Sequence, residues 1–140
     1  MMSPAPWFAK MLETPNLLVT DDDVAFRQVV SEGLLRRGFR VTQAADGAEA
    51  LAVMQRDEIH VALVDLHMPR LTGLEVIRQL SQRPKSPPCV LMSAELDDSV
   101  REEAKRMRVF GVLSKPLRIQ HLSDVISQVL ESVYDWRPIR

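Results

Sequence analysis

From Asn16 onward, short apolar runs alternate with stretches whose apolar residues recur every three or four positions. The runs are Leu17–Thr20, Phe39–Thr42, Ile59–Val64, Cys89–Met92 and Val109–Leu113. They are too short for helices, rich in Val, Ile and Leu, and poor in polar alternation, so they read as strands buried on both faces. Between them, Phe26, Val30 and Leu34 fall at i, i+4 and i+8, with Asp22 or Asp23 placed to cap the start and Gly38 just past the end. Ala48, Leu51 and Met54 mark a second helix behind Asp46-Gly47, and Leu74, Ile77 and Leu80 a third. Val100, Ala104 and Met107 mark a fourth with a highly charged outer face. Leu122, Val125, Ile126, Val129 and Val133 form the apolar stripe of a fifth. A βα unit repeated five times predicts an α/β fold, because each right-handed crossover returns the chain to a parallel neighbour. Five strands suit an open doubly wound sheet and are too few for an eight-stranded barrel.

At 140 residues the chain has length for one core and little more. Residues 16–133 are expected to form it. Pro4, Pro6 and Pro15 break up residues 1–15, which are expected to form a flexible arm whose Trp7, Phe8, Met11 and Leu12 are free to dock. Residues 134–140 are expected to form a short tail carrying Tyr134 and Trp136. No second domain is expected, so any message leaves through a partner protein. Lys+Arg total 18 against 19 Asp+Glu, a balance that argues against a general basic field for nucleic acid. Cys89 is alone, which excludes an internal disulfide. No apolar run approaches membrane-spanning length and the first residues lack a secretory apolar core, so a cytoplasmic protein is expected.

In an open parallel sheet, ligands bind at the carboxyl ends of the strands. Asp21, Asp22 and Asp23 follow the first run, Asp65 the third, Ser93 the fourth, and Ser114, Lys115 and Pro116 the fifth. One Asp suffices to cap a helix; three in succession opposite Asp65 exceed that need. Carboxylates so placed repel one another, and a hard divalent cation relieves the repulsion. Oxygen ligands suit Mg²⁺, and no His/Cys spacing competes for zinc. A carboxylate flanked by a metal, the Lys115 ammonium and the Ser93 hydroxyl is a phosphoryl acceptor site, with Asp65 as nucleophile and three positive or donor groups for the three equatorial oxygens.

The segments LLVTDDD (17–23), VALVDLHMPRLTGLEVI (61–77), VLMSAE (90–95) and VLSKPL (112–117) resemble the receiver domain of two-component response regulators. The spacing D-x-x-M-P-x-x-x-G, followed by S-A and K-P, is the specific part of that resemblance. It implies a flavodoxin-like (βα)5 fold with strand order 2-1-3-4-5. It implies phosphorylation of Asp65 by a histidine kinase or histidine phosphotransfer protein, with Ser93 and Lys115 assisting. It implies Mg²⁺ held by Asp21 or Asp22, Asp65 and the backbone carbonyl of His67, and a cis Lys115–Pro116 bond. Such a protein is a phosphoacceptor, not a turnover enzyme, and acts on a downstream target protein. Pairing through the fourth helix–fifth strand–fifth helix face is a further possibility in such domains. His67 and Glu95 stand where the family varies, as candidates for tuning phosphoryl lifetime or as exposed residues without a role.

Two departures bear on signalling. Family members carry Tyr or Phe three residues before the lysine, paired with the hydroxyl residue as a switch; here the pair is Val112 and Ser93. Phe110 lies two residues earlier, on the same face if the strand extends that far. Met107-Arg108-Val109 replaces the usual Ala-Gly-Ala. His60 and His121 are read as surface residues, Cys89 as a small core hydrophobe, and Arg101–Arg108 as a solvated helix face. One competing reading is a receiver-like binding module that signals without phosphate. The other is a haloacid-dehalogenase-type phosphohydrolase, which needs D-x-D-x-[TV]; Asp21 and Asp23 supply the carboxylates, but Ala25 stands at the last position.

Overall fold

A computed structural model describes residues 14–138. The arm expected over residues 1–15 therefore lies outside the described residues except for Thr14 and Pro15. Five strands, β1 (Asn16–Thr20), β2 (Arg40–Ala44), β3 (Val61–Asp65), β4 (Cys89–Ser93) and β5 (Gly111–Ser114), alternate with five helices. The helices are α1 (Val24–Arg36), α2 (Gly47–Arg56), α3 (Gly73–Ser81), α4 (Asp98–Arg106) and α5 (Ile119–Tyr134). The strands form one parallel sheet in the order β2-β1-β3-β4-β5, the expected flavodoxin-like arrangement.

Side chains alternate across the sheet, and each set meets its own helix layer. Leu17, Val19, Val61, Leu63, Val90 and Met92 pack under α1 and α5. Leu18, Ala62, Val64 and Leu91 pack under α2, α3 and α4. Burying one such side chain contributes about 1.5–3 kcal/mol. The central strands β1, β3 and β4 are buried along their whole length. The outer two depart from the expectation of full burial: β2 and β5 each expose part of their length, because an edge strand has one sheet neighbour and incomplete helix cover.

Local chemistry sets the helix starts. Asp23 caps α1 by accepting from the Phe26 N–H, and Asp46 and Asp97 cap α2 and α4 in the same way. Thr72 and Glu75 form a reciprocal capping box at α3. Gly38 follows α1 with φ +91°, a conformation that costs glycine little.

His60 corrects the reading that made it a surface residue. It is 3% exposed, and its Nδ1 accepts the Asn16 N–H at 2.9 Å. The Tyr134 hydroxyl donates to the His60 carbonyl at 2.8 Å, and the two rings meet edge to face. Trp136 packs against Phe39, its ring 5.8 Å away. Tyr134 and Trp136 thus pack, partly buried, against the core under α1 and α5. Val133, placed in the α5 stripe by spacing, is exposed instead. Among the described residues no helix is long and apolar enough to cross a membrane.

Candidate functional site

The site lies at the carboxyl ends of β1, β3, β4 and β5. β1 delivers Asp21, which is 1% exposed. Its Oδ1 accepts the Asp23 N–H at 2.9 Å, its Oδ2 accepts from Lys115 Nζ at 2.6 Å, and its carbonyl accepts from Arg27 at 2.7 Å. Asp23 is spent on the α1 cap, leaving Asp21 and the exposed Asp22 to face Asp65. One carboxylate oxygen from each of Asp21, Asp22 and Asp65 falls within 4.8 Å of the others.

β3 delivers Asp65, 4% exposed. Its pairing with Met92 and the Leu66 N–H bond to the Met92 carbonyl at 2.8 Å hold this strand end rigid. The chain then turns through residues 66–72 into α3, with Arg70 at φ 68° and its guanidinium on Asp46 at 3.3 Å. Gly73 completes the turn. A Cβ there would stand 2.5 Å from the Asp65 carbonyl oxygen, so the close approach of α3 to the site needs glycine.

β5 delivers Lys115, which follows the strand and precedes a cis bond to Pro116. Its Nζ also lies 3.3 Å from Asp65 Oδ1 and 4.2 Å over the centre of the Phe26 ring. Burial works against the ammonium, but the hydrogen bond to Asp21 and the charge of Asp65 outweigh it and hold Lys115 above the usual lysine range. Asp65 is pushed above the ordinary carboxylate range, first by burial and then by the charge of Asp21, with Lys115 opposing.

Ser93 ends β4, fully buried beside the cluster. Its hydroxyl donates to the Glu95 carbonyl at 2.8 Å and accepts the Glu95 N–H at 3.0 Å. The geometry therefore brings Asp21, Asp22, Asp65 and Lys115 together, while the Ser93 hydroxyl is tied into the β4–α4 loop. His67 and Glu95 are exposed at the rim. Val112 is half-buried against the α2–α4 core, and Phe110, just before β5, is 43% exposed. Phe26, Arg27 and Gly73 were not read from the sequence as parts of the site. Phe26 carried only a helix-stripe signal, Arg27 none, and Gly73 stood inside the D-x-x-M-P-x-x-x-G pattern without a stated role.

Three buried or clustered carboxylates with one partly shielded ammonium leave a surplus of negative charge. Hard oxygen donors in that arrangement fit a divalent cation such as Mg²⁺. The described residues near the strand ends offer no soft-ligand set in its place.

Residues 17–127 match the family model of the response regulator receiver domain. The chain is 29% identical over 119 residues to the response regulator RR06 of Streptococcus pneumoniae, covering 85% of this chain and 54% of that protein. It is 27% identical over 120 residues to a probable chemotaxis protein CheY of Rhizobium etli, covering 84% of this chain and 93% of that one. The chain thus spans about half the length of RR06 and nearly all of the Rhizobium protein. Chemotaxis protein CheY4 of Vibrio cholerae superposes with a TM-score of 0.77 at 34% identity, covering 84% of this chain and 99% of CheY4. A Francisella response regulator receiver domain superposes with a TM-score of 0.80 at 26% identity, covering 85% and 98%. The family comprises phosphoacceptor signalling modules, not turnover enzymes, and implies a histidine kinase partner. With the receiver model spanning most of the chain and the acidic cluster at its strand ends, this protein belongs to the response regulator receiver domain family.

Proposed function

We propose that Asp65 accepts a phosphoryl group from a phosphohistidine on a kinase or histidine phosphotransfer protein. A carboxylate oxygen of Asp65 attacks phosphorus, the P–N bond breaks, and its electron pair returns to the donor imidazole. The observation that carries this reading is the fixed pairing of a buried Asp65 with Lys115 at 3.3 Å beside Asp21 and Asp22. Lys115 is positioned to neutralise one phosphoryl oxygen, and its bond to Asp21 keeps the ammonium aimed inward. Asp21, Asp22, Asp65 and the His67 carbonyl would hold Mg²⁺. When bound, that ion supplies charge neutralisation for the transferring group. His67 and Glu95 stand at the rim, where they control water access to an acyl phosphate.

The outgoing signal runs through Ser93. For its hydroxyl to donate to a phosphoryl group on Asp65, the bond to the Glu95 carbonyl must be given up, which loosens the loop leading into α4. This route needs no aromatic exchange at Val112. The released α4–β5 surface is the contact for a downstream protein or a second receiver, in a cytoplasmic setting.

The test is incubation with acetyl phosphate and Mg²⁺ followed by intact-mass measurement. One phosphoryl adduct, absent in Asp65→Asn, is expected. No adduct, together with no beryllofluoride binding, refutes the phosphoacceptor role and favours a receiver-like module that signals without phosphate. Steady phosphate release from unrelated monoesters would point to a hydrolase.

A further inference from the structure

The turn between β1 and α1 carries Asp21 and Asp22, two of the three clustered carboxylates. Asp21 is held through its own side chain, by Lys115 and by the Asp23 N–H. Asp22 is exposed, so its direction depends on the backbone that enters it. That backbone is the peptide whose oxygen is the Asp21 carbonyl. A peptide group is planar, so this carbonyl and the Asp22 Cα move together. Arg27, half-buried near the start of α1, holds the carbonyl from Nη1 at 2.7 Å. That length is at the short end of the charge-assisted range. Its Nε donates to Gln43 Oε1 at 3.0 Å. Gln43 is paired with Val19 inside the sheet, and the next residue of β2, Ala44, accepts the Asp21 N–H at 3.2 Å. Arg27 N donates to the Asp23 carbonyl at 3.0 Å as α1 begins. One guanidinium thus closes β2, the acidic turn and α1 into a ring.

We propose that Arg27, braced by Gln43, is a positioning residue that sets the affinity of the acidic cluster for a divalent cation. The proposal rests on the reading of Asp21, Asp22 and Asp65 as that cation's ligands. Arg27 acts through the backbone and does not touch the ion. Charge and geometry make opposite demands here. Arg27 is itself a cation, so by Coulomb repulsion alone its removal would tighten the binding of another. Mg²⁺, however, accepts only near-octahedral oxygens at fixed distances. A turn that wanders presents Asp21 and Asp22 in that arrangement for part of the time, and the apparent affinity falls by the competent fraction. Partners that orient metal ligands in this way account for about 10–100-fold in affinity. The guanidinium suits the task because its planar fork serves two partners at once from one rigid group. Phe26, the residue before it, supports the Lys115 ammonium, so the same turn of α1 addresses both the cation and the carboxylates of the site.

The test is calorimetric titration of Mg²⁺ into the full, unphosphorylated chain. It is run at a temperature where circular dichroism shows every variant folded. Arg27→Ala is expected to bind about tenfold more weakly than the parent, against the sign that charge alone dictates. Gln43→Ala, which removes the brace and no charge, is expected to lose several-fold. The double variant is expected to bind no more weakly than Arg27→Ala, because both changes break one linkage. Equal or tighter binding by Arg27→Ala overturns the proposal, even where its Tm falls, since a purely structural role lowers stability and leaves the folded chain's affinity unmoved. Losses that multiply in the double variant overturn the role of Gln43 as the brace. A parent that takes up no Mg²⁺ overturns the metal reading together with this proposal. A parent that binds while Arg27→Ala binds equally well overturns this proposal alone. None of these readouts requires phosphorylation of Asp65.

Discussion

Gly73→Ala probes how the loop after β3 holds Asp65 in place. The new methyl carbon would stand 2.5 Å from the Asp65 carbonyl oxygen and 3.0 Å from the Leu66 Cα. Both neighbours are backbone, so no side-chain rotation relieves the clash. The gap to Asp65 must open by about 0.9 Å to reach the 3.4 Å of ordinary contact. Overpacking of this kind costs about 1–3 kcal/mol, offset in part by the better helix propensity of alanine. A net loss of about 2 kcal/mol lowers Tm by roughly 8 °C in a domain of this size. The same shift moves the nucleophile, and a displacement near 1 Å can cost about a hundredfold in rate. Gly111→Ala is the control. Its added carbon meets only Val125 Cγ1, at 3.9 Å, so Tm should hold or rise slightly. The measurements are thermal melts and initial rates of acetyl phosphate labelling. A Gly73→Ala protein that melts and labels like the parent, or a Gly111→Ala loss of equal size, would refute the close-approach argument.

Asp65→Asn should raise Tm at pH 7. Burial and the charge of Asp21 raise the carboxyl's folded pKa, so stability falls as pH climbs from the unfolded pKa through the folded one, and the neutral amide escapes that loss. The gain should vanish in acid, and a lower Tm at pH 7 would contradict it. Millimolar Mg²⁺ should raise the parent's Tm and chelation reverse it, while Asp65→Asn blunts the shift; identical melts with and without the ion would count against the metal site. Tyr134→Phe should cost about 1 kcal/mol in urea unfolding with an unchanged slope, since the His60 carbonyl loses its donor. His60 is held below the usual histidine range chiefly by burial, so the unfolded chain binds more protons and stability falls as pH drops below 6.5. His60→Gln should flatten that dependence, and an unaltered pH profile would assign it elsewhere.

The sheet was legible because its three central strands are buried on both faces and so advertise themselves as apolar runs. The acidic cluster was legible because residues just past a strand end must face the ligand edge, whatever the helices do. What escaped depended on distant partners. His60 sits near the start of the third apolar run and reads as a surface residue; the Tyr134 hydroxyl that meets its carbonyl and the ring that meets its imidazole come from 74 residues away. Phe26 reads as a core position of α1, yet its ring also supports Lys115, which arrives from the opposite end of the chain. The orientation of the Ser93 hydroxyl is a rotamer choice, and no spacing encodes it. Edge exposure of β2 and β5 follows from strand order, which alternation alone does not state.

The bond between Lys115 and Asp21 joins residues 94 apart. Every carboxylate of the site precedes Lys115 in the sequence, so pairing of β1 with β3 alone brings Asp21 and Asp65 to one edge without the lysine. The loop closed by this ion pair is long, and its electrostatic return requires β5 to be paired with β4. A chain without its final strand in place lacks the ammonium that stands beside Asp65, so the completed site reports the completed sheet.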